Sequence, residues 1–182
     1  VKEMYSVLRF WFEEIETKQW WIKDPEFDQL IKDRFLAVYQ QAIQCELYSW
    51  RALPEGRLAE IIVLDQFSRN MFRDDKAAFA YDSLALALTQ SAIDVGADQA
   101  FMDEPKKLAF LYMPLMHSES PVVHQLAVEM FAKPGLESNL EFEHKHKSII
   151  DQFGRYPHRN QVLGRQSSEA ELAFLQQPGS SF

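Results

Sequence analysis

The groups able to do chemistry lie in three short polar stretches far apart along the chain. In LDQFSRNMFR, residues 64–73, Asp65 and Arg69 are four apart, so on a helix they share a face with the acid on the favourable N-terminal side. An arginine held this way either ties helix ends together or, with Asn70 orienting it, binds a carboxylate or phosphate. In MHSE, residues 116–119, His117, Ser118 and Glu119 follow shortly after Pro114. They contain the parts of a serine hydrolase, because a hydroxyl nucleophile needs a base and the base an orienter. Adjacency argues against that use: neighbouring side chains seldom point at one reaction centre, and no nucleophile-elbow sequence is present. A capping role suits Ser118 or Glu119 better and leaves His117 for a pocket.

The third stretch runs from EFEHKHKSIIDQF into GRYPHRNQVLGR, residues 141–165. His146, Ile150 and Phe153 have helical spacing, which turns His146 inward and His144 elsewhere; an inward histidine must find hydrogen-bond partners. Beyond Gly154, Pro157 restricts Tyr156 to an extended conformation, so RYPHRN reads as a rigid turn that presents Arg155, His158 and Arg159. Guanidinium forks take carboxylates bidentately, whether on Asp65, on Glu119 or on a ligand. His117, His146 and Glu119 or Glu143 could in principle hold zinc, but histidines at i and i+2 form no helical chelate and HExxH is absent. No metal and no cofactor is expected, and nothing resembles a dinucleotide-binding fingerprint. His124, without a counterpart in sequence, reads as structural or exposed.

Positioning these groups requires a folded scaffold, and the composition supplies one. The 182 residues are 47% hydrophobic, with 14 Phe, 6 Tyr and 4 Trp, enough for one well-filled core and one domain over residues 1–182. A net charge of -8 without a Lys/Arg run argues against nucleic acid as a partner. No apolar run is long enough to span a membrane, and the single cysteine, Cys45, sits in a helical pattern that predicts a buried thiol. The expected location is the cytoplasm.

Apolar periodicity with Pro, Ser and Gly boundaries predicts helices at 3–16, 26–43, 57–69, 76–95, 104–116, 121–132, 139–153 and 169–176, with no alternating strand segment. Ser120 is the expected cap of the sixth. Ser138 with Glu141, and Ser168 with Glu171, have the spacing of capping boxes. Trp20 and Trp21 read as anchors of a connecting segment. The fold class is all-α, a compact array of antiparallel helices.

The stretches VLRFWF, LDQFSRNMFR, YMPLMHSE followed by Gln125, and HKSIIDQFGRYPHRNQVLGR occur in this order and together resemble the bacterial family catalogued as domain of unknown function 924. The resemblance covers nearly the whole chain and implies a tetratricopeptide-like helical fold without an established activity. Its signature positions fall on Asp65, Gln66, Arg69, Asn70, His117, Ser118, Glu119, Gln125, His146, Arg155, Pro157, His158, Arg159 and Asn160.

Residues and resemblance together nominate Asp65, Arg69, Asn70, His117, His146, Arg155, His158, Arg159 and Asn160 as ligand contacts, with His117, His158 and Glu119 as catalytic candidates. The function they suggest is a polar cleft for a small anionic ligand with acid/base, hydrolytic chemistry. The alternative is a helical protein-interaction module, binding a protein partner, whose polar clusters are structural.

Overall fold

The computed structural model describes residues 1–182 and contains ten α-helices and no β-strand. Helix α1 (Lys2–Arg9) turns Met4, Val7 and Leu8 inward and runs on into a π-helical turn, Phe10–Glu14, that adds Phe10 and Trp11 to the buried set. Helix α2 (Pro25–Ile43) begins where the Asp24 carboxylate accepts from the amides of Glu26 and Phe27. Pro25 fits the first turn because an amide there has no intrahelical acceptor to lose. Phe27, Ile31, Phe35, Val38 and Ala42 form its buried stripe, whereas Leu30 is 47% exposed. It precedes Ile31 and so lies about 100° round the helix from it.

Helix α3 (Pro54–Ile62), a π turn (Val63–Phe67) and α4 (Ser68–Met71) follow one another without a break. The helix expected from residue 57 thus starts three residues earlier, with proline again in its first turn. A π turn inserts an extra residue into the helical register and so re-aims the faces on either side of it; all five residues here are buried, Asp65 among them. The helix expected over 76–95 is interrupted. Asp75 caps a single 3-10 turn, Lys76–Ala78, by accepting from the Ala77 amide, and α5 (Asp82–Asp94) starts afresh.

Helix α6 (Pro105–His117) keeps Pro114 in its interior, and α7 (Pro121–Phe131) has the expected Ser120 cap on the Val123 amide. Helix α8 (Glu137–Phe153) is entered through Leu136, and Ser138 and Glu141 form no capping box because both already lie inside the first turns. Gly154, at φ +71°, ends it in the left-handed region that glycine enters without a Cβ clash. A 3-10 turn, Pro157–Arg159, leads into α9 (Asn160–Leu163), and α10 (Glu169–Leu175) opens on the expected Ser168–Glu171 box. Cys45 departs from expectation: α2 ends at Ile43, and the cysteine sits exposed in the turn beyond it at φ +58°.

Helix α1 packs on α3, α2 on the second π turn and α4, and α3 and α5 on α6; then α6, α7 and α8 pack in succession. Trp20 anchors its connection as expected, donating from Nε1 to the Trp11 carbonyl at 3.0 Å with its ring 4.8 Å from that of Phe110. No helix is long and apolar enough to cross a membrane.

Candidate functional site

The last carbonyls of a helix have no intrahelical donor. At the C-terminus of α6, side chains supply three consecutive donors. Tyr156 donates its hydroxyl to the Met116 carbonyl at 2.6 Å, Arg159 donates from Nη2 to the His117 carbonyl at 3.0 Å, and His124 lies with Nε2 2.6 Å from the Ser118 carbonyl. The peptide units on both sides of His117 are therefore clamped by the RYPHRN turn and by α7. His124, fully buried, is itself held through Nδ1 by the buried Glu143.

The His117 ring faces the second π turn. Its Nδ1 lies 2.7 Å from Asp65 Oδ1; the same oxygen lies 3.3 Å from Arg69 Nη1, while Oδ2 accepts from Gln66 Nε2 at 2.9 Å. Burial alone would raise the Asp65 carboxyl, but His117 and Arg69 outweigh it and hold it below the ordinary carboxylate range. Burial and then the Arg69 charge pull His117 down against the opposing pull of Asp65. At neutral pH this is a carboxylate accepting from the Nδ1–H of a neutral imidazole, with Nε2 as a free lone-pair acceptor. A buried acid that fixes the tautomer in this way prepares a histidine to act as a base.

Arg69 does not reach into open space. It donates to both oxygens of Asp82, at 2.8 and 2.9 Å, and to the Asp65 carbonyl at 3.0 Å. These carboxylates outweigh its burial and keep its pKa raised. Arg159 is less well served. Only 5% exposed, it has its one hydrogen bond to the His117 carbonyl, and its Nε has no partner. Its Nη1 stands 3.8 Å from Asp82 and 4.0 Å from Glu119, near both but bonded to neither. Burial and the Arg69 charge lower its pKa to about 10, which leaves it cationic at neutral pH. Both guanidiniums lie against the Phe79 ring, at 5.3 and 4.7 Å.

A cleft of about 310 Å³ opens over this constellation. Its lining combines the polar Asp82, His117, Glu119 and Arg159 with the apolar Phe79, Leu86, Pro114 and Leu163, and the exposed Lys76 also belongs to its wall. Two separated stretches, around residues 65–69 and 117–119, thus meet Arg159 of the third. Asp82 and Phe79 were invisible to sequence reasoning, because they fell inside a presumed continuous helix; the only hint was an acid at a position that proves to be a helix start.

The other nominated residues lie elsewhere. Asn70 donates to Asp28, which also receives a fork from Arg73. Arg155 forks onto Glu171, whose second partners are Asn160 and the Ser168 amide; together they hold Glu171 well below the ordinary carboxylate range. Glu119 reaches the cleft but spends its carboxylate on Arg165 and the Tyr156 amide. His146 donates to the Phe142 carbonyl and packs its ring on Phe182 at 3.9 Å, and the His158 ring lies on the other side of the turn at 4.4 Å from Phe182. Burial pushes these two histidines down to about 4 and about 3. Ser118 Oγ accepts from the Ser120 amide, and the orienter of His117 is Asp65, 52 residues away, rather than its neighbour Glu119.

Helices, clamp and cleft define an all-helical protein with a buried acid–imidazole pair beside an underused guanidinium. The chain belongs to the family of bacterial proteins of unknown function DUF924, whose model matches residues 7–179. It is similar to the solved structure of the protein of unknown function ATU0120 from Agrobacterium tumefaciens, with 32% sequence identity, a TM-score of 0.90, and coverage of 96% of this chain and 97% of that one. No curated protein matches the chain.

Proposed function

We propose that the cleft binds a small anionic ligand through Arg159 and that His117 acts on it as a general base in a hydrolytic reaction. The observation that carries this reading is the contrast among the arginines. Arg69 and Arg165 each fork onto a carboxylate, whereas Arg159, on the cleft wall, makes a single hydrogen bond, to a backbone carbonyl, and has a buried Nε without a partner beside an imidazole whose Nε2 is free. Desolvated donors without acceptors are costly to keep unless a ligand completes them. In the reaction a water gives a proton to His117 Nε2 as its oxygen bonds to an electrophilic carbon of the ligand, and the imidazolium returns the proton to the leaving group as the bond from that carbon to the leaving group breaks and its electron pair departs with the leaving group. Asp65 stabilises the imidazolium formed between the two steps.

Arg159→Met separates the roles, since methionine keeps a long apolar stem without the charge. Asp82 and Glu119 retain Arg69 and Arg165, so the variant should keep its helical circular dichroism. Affinity for a ligand recovered by a metabolite screen should fall tenfold or more, about 1.4 kcal/mol. Near-parental affinity would remove Arg159 from the site. His117→Gln should leave binding within a few-fold and abolish turnover.

A second reading rests on Trp21, which stacks on Phe110 yet is 63% exposed. A tetratricopeptide-like array presenting such a ring would act as a protein-interaction module. Capture of a partner by the intact chain, lost with Trp21→Ser and confirmed by direct titration, supports it; the absence of concentration-dependent association counts against it.

A further inference from the structure

Resting on the anion-cleft reading, we infer that the ligand is a monocarboxylate with a compact apolar body, rather than a phosphate ester. The charges in and directly behind the cleft wall set this limit. Lys76, Arg69, Arg159 and Arg165 are cationic, Asp65, Asp82 and Glu119 are their carboxylates, and His117 is neutral, so the constellation carries one surplus positive charge. One negative charge balances it. A phosphate monoester carries close to two at neutral pH and would meet two carboxylates within 4.0 Å of the guanidinium that lines the cleft. Like charges at such separations in a partly buried site oppose each other strongly.

Geometry points the same way. Arg159 is held by the clamp on the His117 carbonyl and by the faces of Phe79 and Tyr156, each 4.7 Å from its guanidinium carbon. It offers an edge rather than a cage, which suits a planar carboxylate. The start of α5 also lines the cleft, at Asp82 and Ser83, but it presents the Asp82 carboxylate there, which a second ligand charge would meet. Phe79, Leu86, Pro114 and Leu163 add apolar lining, and a cleft of about 310 Å³ admits a body the size of a single ring or a short acyl chain. Apolar walls around a few placed polar groups are the usual composition of a small-molecule site.

Three probes with the same phenyl body and different charge decide the matter: benzoate, phenyl phosphate and benzamide, titrated calorimetrically at pH 7.5 against the full chain. Benzoate is expected to bind one to one, at least tenfold more tightly than either of the others. Arg159→Met should cost tenfold or more of the benzoate affinity. Lys76→Glu, on an exposed side chain that cannot disturb folding, should cost threefold or more and so supplies a test even if the arginine variant fails to fold. Phenyl phosphate binding more tightly than benzoate, with that binding lost in Arg159→Met, would overturn the carboxylate class and leave the anion cleft standing. Equal affinity for benzoate and benzamide, benzoate binding indifferent to both substitutions, or no binding of any probe at 10 mM would overturn both.

Discussion

Phe67, in the core under α1 to α6, is fully buried with its ring centroid 6.0 Å or less from those of Phe10, Trp11 and Phe35. Tyr156, at the joint between α6 and the RYPHRN turn, is equally buried, but it donates to Met116, gives its amide to Glu119 and covers the Arg159 guanidinium. The first residue belongs to a continuous cluster of 38 buried apolar residues, the second to one of only three, with Ile149 and Ile150. So small an apolar cluster cannot hold α8 to α10 by burial alone. There the fastening is polar: Arg155 on Glu171, Arg165 on Glu119, His124 with Glu143. Dispersion and burial are non-directional and indifferent to protons, whereas a polar joint fails when any one partner changes its protonation state. The same directionality leaves unfinished donors, and that is why the candidate cleft lies at the joint and not in the core.

The largest way to sharpen this contrast is Phe67→Ala. A cavity in the aromatic core should cost about 3–5 kcal/mol in chemical denaturation, with no change in the pH dependence of stability. Glu119→Ala attacks the other side: it removes the carboxylate that takes the Arg165 fork and the Tyr156 amide and should cost about 3 kcal/mol. Native-state hydrogen exchange should show the loss concentrated beyond residue 137, and a uniform loss over α1 to α6 would erase the distinction between the two regions.

Acid should act strongly on the joint. His146 and His158 have folded pKa values depressed to about 4 and about 3, so the folded state resists a proton that the unfolded chain accepts near pH 6.5. Their contribution is therefore fully present above pH 6.5 and is lost as the pH falls from there towards 4 and 3. By pH 4.5 each should have cost about 2.5 kcal/mol. Replacing both by Phe should flatten this part of the stability profile, read from denaturation midpoints between pH 7.5 and 4.5. The smallest effect is expected from Tyr156→Phe, which removes the hydroxyl's bond to Met116 and its longer contact with His124 and keeps the ring: about 1 kcal/mol. Because that bond caps α6 next to His117, broadened His117 ring signals in NMR should accompany it.

Much of the scaffold was readable along the chain because helices are local. Apolar residues three and four apart, prolines in first turns, Ser120, the Ser168–Glu171 box and Gly154 act through neighbours within about one turn, and these marked most elements to within a few residues. His146 facing inward and the Asp65–Arg69 pair are legible for the same reason, since i, i+4 spacing decides them. The π turn at Val63–Phe67 was not legible. Its extra residue is stabilised by tertiary packing and leaves no periodic signature of its own, yet it delivers Asp65 to the His117 ring.

What the sequence determined by itself, then, was an all-helical chain carrying an excess of arginine and histidine at three points, because periodicity and residue chemistry are properties of short stretches. Which guanidinium meets which carboxylate was decided only in three dimensions. Asp65 to His117, Arg69 to Asp82 and Arg165 to Glu119 span 52, 13 and 46 residues, and any of these arginines has the chemistry to pair with any of these acids. Packing selects one pairing, and by forking Arg69 and Arg165 onto carboxylates it leaves Arg159 as the cation of the three without a carboxylate hydrogen bond. That remainder is a property of the whole set of pairs and of no stretch of sequence.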